Sequence, residues 1–344
     1  MIKLSKKTGI ISVTLVVLAP LMAFAHEAYV VPKDYFWQRI ARPINWEAFD
    51  ALKNPHNLEI TLRVIAWVLF LMFANFLFLK SKVGFSFHKF LERFAFLGPI
   101  AIRVTIALSF FWGILTLNFL GPELSIQQML FPEVMRWAIL IASIMILFGI
   151  FTELAALIGL IVFTIGFFAF GVHLITYLNY LGELIVLLLF GSRKWSFDRL
   201  IFGELKGLRF FFEKYGTVII RIFYGLALIY TAINVKLIHA DLTLRVISDW
   251  NLTQFWWLFP SDPLLIVLGA GLAECTIGLF IVLGFQMRLA VLISLFYITL
   301  SSLYFRELVW PHIILYGISF NLLVQPEWFS LDKILFQKQN KQIT

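Results

Sequence analysis

Cysteine is nearly absent from this 344-residue chain: Cys275 stands alone, which excludes an intrachain disulfide, a CxxC redox pair and a Cys-rich metal site. Any redox chemistry therefore needs a borrowed cofactor. Charge is scarce too, at 14% against 61% hydrophobic residues, a balance too apolar for a soluble globular domain. No phosphate-cradling glycine loop, nucleophile elbow or HExxH occurs, and no haem, flavin or metal motif. Nucleotide, hydrolase and zinc-protease chemistries lack support for that reason. What is abundant is phenylalanine, 38 residues of it, with 11 Trp and 10 Tyr whose amphipathic rings suit headgroup level. The formal charge of +8 belongs to membrane topology rather than to nucleic acid, because the useful question is where Lys and Arg fall.

The first 25 residues read as a signal peptide: Lys3, Lys6 and Lys7 precede a short apolar run from Ile10 to Phe24 that ends in Ala23-Phe24-Ala25. Cleavage there starts the mature protein at His26; an uncleaved anchor is the alternative. Long apolar runs follow at about 58–80, 97–120, 135–151, 154–171, 173–191, 216–236, 264–284, 287–305 and 308–325. The expectation is an all-α integral membrane protein with about nine transmembrane helices, in contact with the lipid bilayer. Its divisions are a signal peptide (1–25), an exported segment (26–57), a first transmembrane helix with its inner loop (58–96), four-helix units at 97–200 and 215–335, and a cytoplasmic tail (336–344).

Threading the helices alternately from an exported amino-terminal segment puts Lys80, Lys82, Lys89 and Arg93 inside. Arg193, Lys194, Arg199, Lys206, Arg209 and Lys214 follow on the same side, then Arg288, and then Lys333, Lys338 and Lys341. The outer segments hold fewer cations, as the positive-inside rule requires. This places the protein in a bacterial or archaeal cell (inner) membrane as a multi-pass protein, mature amino terminus outside and carboxyl terminus cytoplasmic.

Two parallel four-helix repeats follow the first spanning helix. Each opens with an arginine, Arg103 or Arg221, and each carries Leu-Phe-Pro in its outer loop, at 130–132 and 258–260. Gly149 through Ala155 (GIFTELA) parallels Gly284 through Ala290 (GFQMRLA), and Trp195-Ser196-Phe197-Asp198 parallels the tail from Trp328 to Asp332. An even helix number per repeat makes the two parallel rather than inverted.

An ionisable group at membrane depth costs about 2.5–3.5 kcal/mol on insertion scales, so it calls for a partner. Arg221 and Glu274 lie roughly 8 and 15 Å from the inner ends of their helices at 1.5 Å per residue, which pairs them with one another. Arg103 with Glu183 is the analogous pair of the first repeat. Glu153 and Arg288 occupy matching positions at inner helix junctions, with opposite charge. The deep pairs serve either as interhelical glue or as a ligand or proton site, and both readings stay open. His173, His239 and His312 lie near outer helix ends without metal-ligand spacing. The stretch from Lys236 to Pro263, with Trp250, Phe255, Trp256, Trp257 and Phe259, reads as an in-plane interfacial segment or a lid.

In the second repeat, Arg221 opens a helix that carries Gly225 and ends in Asn234-Val235-Lys236-Leu237; Gly271 and Glu274-x3-Gly278-x5-Gly284-x3-Arg288 follow. This pattern, over about 215–325, resembles the DoxX-like family of small four-helix membrane proteins. The first unit looks like a degenerate copy that keeps Arg103 and Gly149 but lacks counterparts of Lys236 and Glu274. Ala232-Ile233-Asn234 stands where the family has a glycine before its lysine. The resemblance implies an accessory or quinone-contacting subunit of a membrane redox process, with quinone as cofactor and other membrane or redox subunits as partners. Under it, Glu274 relays a proton, Arg221 orients Glu274, and Lys236 faces an anionic or carbonyl group. Carriage of a small solute or lipid, and a non-catalytic assembly role, are the competing readings.

Overall fold

The computed structural model describes residues 27–192, 195–202, 212–255 and 259–335. The expected signal peptide, Trp256, Trp257, several inner-loop cations (Arg193, Lys194, Lys206, Arg209, Lys338, Lys341) and the 336–344 tail lie outside them. No strand occurs among the described residues; one isolated bridge joins Asn118 to Ser125. All else regular is helix, the one open-ended way for a chain to satisfy its own backbone in hydrocarbon.

In chain order the helices are α1 (Glu27–Val30), α2 (Lys33–Ile40), α3 (Pro55–Lys80), α4 (Lys82–Glu92), α5 (Gly98–Leu115), α6 (Pro132–Phe148) and α7 (Thr152–Phe170). There follow α8 (Leu178–Phe190), α9 (Phe197–Phe202), α10 (Thr217–Thr231), α11 (Ala240–Asp249), α12 (Pro263–Leu283), α13 (Met287–Tyr304) and α14 (Ile313–Val324). Six stretches are long and apolar enough to cross a membrane: Pro55–Lys80, Lys82–Leu115, Thr152–Phe190, Lys214–Leu237, Pro263–Leu283 and Met287–Tyr304. Trp310–Val324 is apolar but shorter. The two tightest joints foreseen in the sequence are a left-handed turn through Gly149 and Phe151, and a 3-10 stretch over Gly171–Tyr177.

By packing, the chain forms two compact units. The first comprises Met1–Leu77, Ile229–Thr276 and Phe296–Glu307. Its core joins Phe36 of α2 and Ala48 and Ala51 of a 3-10 turn to Leu242, Val246 and Ile247 of α11 and to Ile266 and Val267 of α12. The amino-terminal segment is thus a packed cap, held at its rim by Arg39 on Asp241 at 2.9 Å. Buried Asn57 donates to Ala51 O at 2.9 Å and to Asp262 Oδ2 at 2.6 Å, fixing where α3 and α12 begin. Beyond Asn57 no residue of α3 is buried, and Leu62, Leu69, Phe70 and Phe73 are each more than half exposed, which suits lipid.

The second unit comprises Phe78–Leu228, Ile277–Leu295 and Leu308–Thr344. Here α5 packs on α6 and α14, and α7 packs on α6 and α8. Small polar contacts pin the helices between apolar layers. Tyr224 and Ser294 share a 2.8 Å hydrogen bond, and the buried Ser109 and Tyr180 hydroxyls share another.

Candidate functional site

The matched segments of the two sequence repeats build the same clasp twice, both copies in the second unit. Gly149 and Gly284 each end a helix with positive φ (66° and 61°), where a side chain would be strained. The next helix starts three residues on in both, leaving backbone N–H groups open. Asp198 accepts from Phe151 N at 2.7 Å and Thr152 N at 3.1 Å; Asp332 accepts from Gln286 N at 2.8 Å and Met287 N at 3.1 Å. Each aspartate in turn donates its own N–H to the glycine carbonyl, at 2.9 and 3.1 Å.

The arginines close these clasps. Arg103 Nη2 donates to Trp195 O at 2.7 Å; Arg221 donates to Phe329 O at 2.8 Å and Trp328 O at 3.1 Å. The Arg221–Glu274 pair expected from depth is therefore not the one that forms. Nor does Arg103 meet Glu183, both of whose oxygens are buried without a hydrogen bond among the described residues. Depth along a helix sets how far a side chain lies from water, but not which way it points. Near a helix end, a long guanidinium stem reaches carbonyls that a left-handed turn has left open.

Glu274 pairs instead with Lys236, the other basic candidate. In the first unit Lys236 Nζ lies 2.9 Å from Glu27 Oε2 and 3.2 Å from Glu274 Oε2. Glu27 Oε1 accepts from Thr243 Oγ1 at 2.7 Å. Lys236 is 1% exposed, Glu27 0% and Glu274 5%, so three ionisable groups meet out of water. The local backbone explains how. After α10 the chain widens into a π-turn over Ala232–Leu237, which carries Lys236 into a buried position instead of a hydrated helix end. The wide turn leaves Asn234 O to His239, whose Nδ1–H donates to it at 2.6 Å. Gly271, one turn before Glu274, gives room: a Cβ there would stand 2.5 Å from Leu237 Cδ2.

Charge counting makes this centre unusual. One ammonium faces two carboxylates, so the ionised cluster carries a net charge of minus one in an apolar setting, and a proton or a cationic ligand relieves it. Such a group of three can exchange a proton and can offer an ammonium N–H to an incoming acceptor.

Arg288 belongs to a different cluster, in the second unit. It lies 3.2 Å from Glu92 and 3.8 Å from Glu327, and donates to Gln325 O at 3.4 Å. Burial pushes the Glu327 carboxyl up to about 7, against the opposing pull of Arg288. Asp332 is raised as well, chiefly by burial, while its hydrogen bonds from Gln286 N and Met287 N pull the other way. The three histidines near helix ends bond within the protein: His173 to Glu123 at 3.2 Å, His239 to Asn234 O, and His312 to Leu308 O at 2.9 Å. Among the described residues no group of three or more His, Cys, Asp or Glu is placed to hold a metal ion.

Sequence reasoning missed Glu27 and Thr243. Both carried a usable signal: a lysine at the end of a spanning helix needs an acid, and Glu27 is the first acid of the amino-terminal segment, two residues after the expected cleavage point. Asp198 and Asp332 were visible in the repeat, but not as caps. Comparison with known proteins finds no matching family model, no matching curated protein and no matching solved structure.

Proposed function

We propose that the protein is a multi-pass inner-membrane subunit of a redox process, and that it holds the polar head of a quinone at the Glu27–Lys236–Glu274 centre. The observation that carries this reading is a lysine enclosed by two carboxylates at 2.9 and 3.2 Å, with a charge count that a neutral ligand and a proton can balance. The resemblance to DoxX-like proteins supports it, as does the place of Lys236 at the end of an apolar helix, where a lipid-soluble ligand brings its head group. The nine-span threading belongs to the same proposal, with the amino-terminal cap on the outer face, the carboxyl terminus in the cytoplasm and two parallel repeats between them.

In this reading Glu274 is the fixed partner of Lys236, and Glu27, on the cap, is the exchangeable one. A quinone held there would take the Lys236 N–H on a carbonyl oxygen in place of Glu27. Its reduction to the quinol would need two electrons from a redox partner subunit and two protons, one passed on by the Lys236–Glu274 pair and the second taken from water, which also reprotonates the pair. Arg103 and Arg221 take no part, because their guanidinium groups hold the clasps.

The test is lipid extraction of protein purified in native-lipid discs, followed by titration of short-chain quinones read by tryptophan fluorescence. Wild-type protein retains quinone, Glu274→Gln weakens binding, and Lys236→Met abolishes it. Equal quinone content in wild type and Lys236→Met overturns the reading. Flux of solute or lipid in proteoliposomes, lost in Glu274→Gln without any quinone binding, assigns the centre to a carrier instead.

A further inference from the structure

The second unit holds a buried ionisable group that the clasps, the lysine centre and the Arg288 cluster leave unused. Glu183 sits in the middle of α8, fully buried, and neither carboxyl oxygen has a hydrogen-bond partner among the described residues. A carboxyl group kept in hydrocarbon without a bond is expensive, by about 1–3 kcal/mol even when neutral, and structure alone gives no return for it.

What lies next to it is a file of hydroxyl and carboxyl groups. Tyr180 precedes Glu183 by one helical turn, and Tyr177 precedes Tyr180 by another, so the three share a stripe of the same helix and its 3-10 lead-in. The Tyr177 and Tyr180 rings stand 6.1 Å apart. Tyr177 OH donates to Glu123 Oε1 at 2.5 Å. The Tyr180 hydroxyl bonds the Ser109 hydroxyl and donates to Leu120 O at 3.3 Å, so both phenols end against the same 120–123 loop. Gly121 makes the space: a Cβ there would lie 1.8 Å from Tyr177 OH and 2.6 Å from Glu123 Oε2.

We infer that Glu183 is a proton-exchanging carboxyl, loaded and unloaded along the file Glu123, Tyr177, Tyr180. In loading, Tyr177 takes a proton from Glu123 and passes its own to Tyr180, which passes its own to Glu183. Each phenol gains one proton and loses one, so the net change is one proton moved from Glu123 to Glu183; unloading is the reverse. The Tyr177-to-Tyr180 and Tyr180-to-Glu183 transfers each need a side chain to turn first, since among the described residues neither pair shares a hydrogen bond.

The elements packed on α8 leave this exchange to the file. From α5 come Ser109, bonded to Tyr180, and Arg103, held on Trp195 O; from α7 comes exposed Glu153. From α10, whose Phe223 lies against Gly182, comes Arg221, held on the Trp328 and Phe329 carbonyls. The 3-10 stretch brings His173, bonded to Glu123, and the turn Phe212–Gly216 brings Lys214, which stands over the Tyr215 and Phe329 rings.

Infrared difference spectroscopy of the purified full chain in lipid discs, after transfer to heavy water, tests this. The expected result is a carboxylic-acid C=O band, absent in Glu183→Gln, whose deuterium shift slows about tenfold or more in Tyr180→Phe. A purely structural Glu183 gives no such kinetic change. The inference is overturned if Glu183→Gln removes no band, or if Tyr180→Phe exchanges at the wild-type rate. Should the variants not fold, a lipid-soluble carbodiimide on wild-type protein decides: modification of the Glu183 peptide, detected by mass, supports the inference, and an unmodified peptide overturns it. None of these readouts involves quinone, so they stand or fall apart from the lysine centre.

Discussion

Arg221 donates a 2.8 Å hydrogen bond to the carbonyl oxygen of Phe329, a residue held in the left-handed region at φ 49°. Arg103 does the same to Trp195, at φ 52°. These bonds join α5 to the turn at Trp195 and α10 to the turn at Trp328 and Phe329. Removing the charged donor takes two charge-assisted bonds from the Trp328 and Phe329 carbonyls, so Arg221→Ala lowers stability by about 1.5–3 kcal/mol. Thermal unfolding in detergent measures the loss.

Asp198 and Asp332 cap helix starts in equivalent places, so Asp198→Asn and Asp332→Asn each keep shape but weaken two charge-assisted bonds. Replacement by alanine removes them and costs about 0.5–2 kcal/mol in either clasp. Chemical unfolding of the two single variants is expected to give similar losses, and a large asymmetry speaks against the equivalence of the clasps.

Lys236→Met leaves two buried carboxylates facing each other and is expected to destabilise by about 3–5 kcal/mol. Glu274→Gln retains the Lys236–Glu27 pair as a neutral unit and costs far less. The double variant Lys236→Met with Glu274→Gln recovers part of the loss, because one uncompensated carboxylate is gone. A double-mutant cycle on thermal midpoints measures the coupling.

Glu327 gives the protein a pH dependence near neutrality. Its carboxyl is raised by burial to about 7 in the folded protein, against 4.5 for the free side chain. Between those values the unfolded chain releases a proton that the folded protein keeps. Stability therefore falls as pH rises through that window and levels off above it. Asp332, also raised by burial, adds a slope of the same sign. Glu327→Gln is expected to flatten the neutral part of the curve, read as melting midpoints between about pH 5 and about pH 8.

Helix positions were legible because lipid demands continuous apolar runs, and every long run is mainly helical here. Lys236 and Glu274 were both legible as charges that hydrocarbon does not tolerate alone. Their pairing was not, since it depends on a π-turn that rotates Lys236 inward, and nothing in Ala232-Ile233-Asn234 announces that turn. Glu27 escaped notice because a short segment before the first span reads as a solvated leader. Only packing of Phe36, Ala48 and Ala51 against α11 shows it to be a cap. The clasps were half legible: paired motifs marked the joints, while the cap role of each aspartate needed backbone directions that spacing does not supply.

Glu27 and Lys236 are separated by 209 positions in the chain. During synthesis the acid leaves the ribosome long before its counter-ion exists, and loop closure over such a span is slow. The amino-terminal segment must therefore wait while later helices insert, and its docking is a late event in biogenesis. Failure of this segment to dock would leave Lys236 with one of its two carboxylates, making the half-built protein a target for membrane quality control.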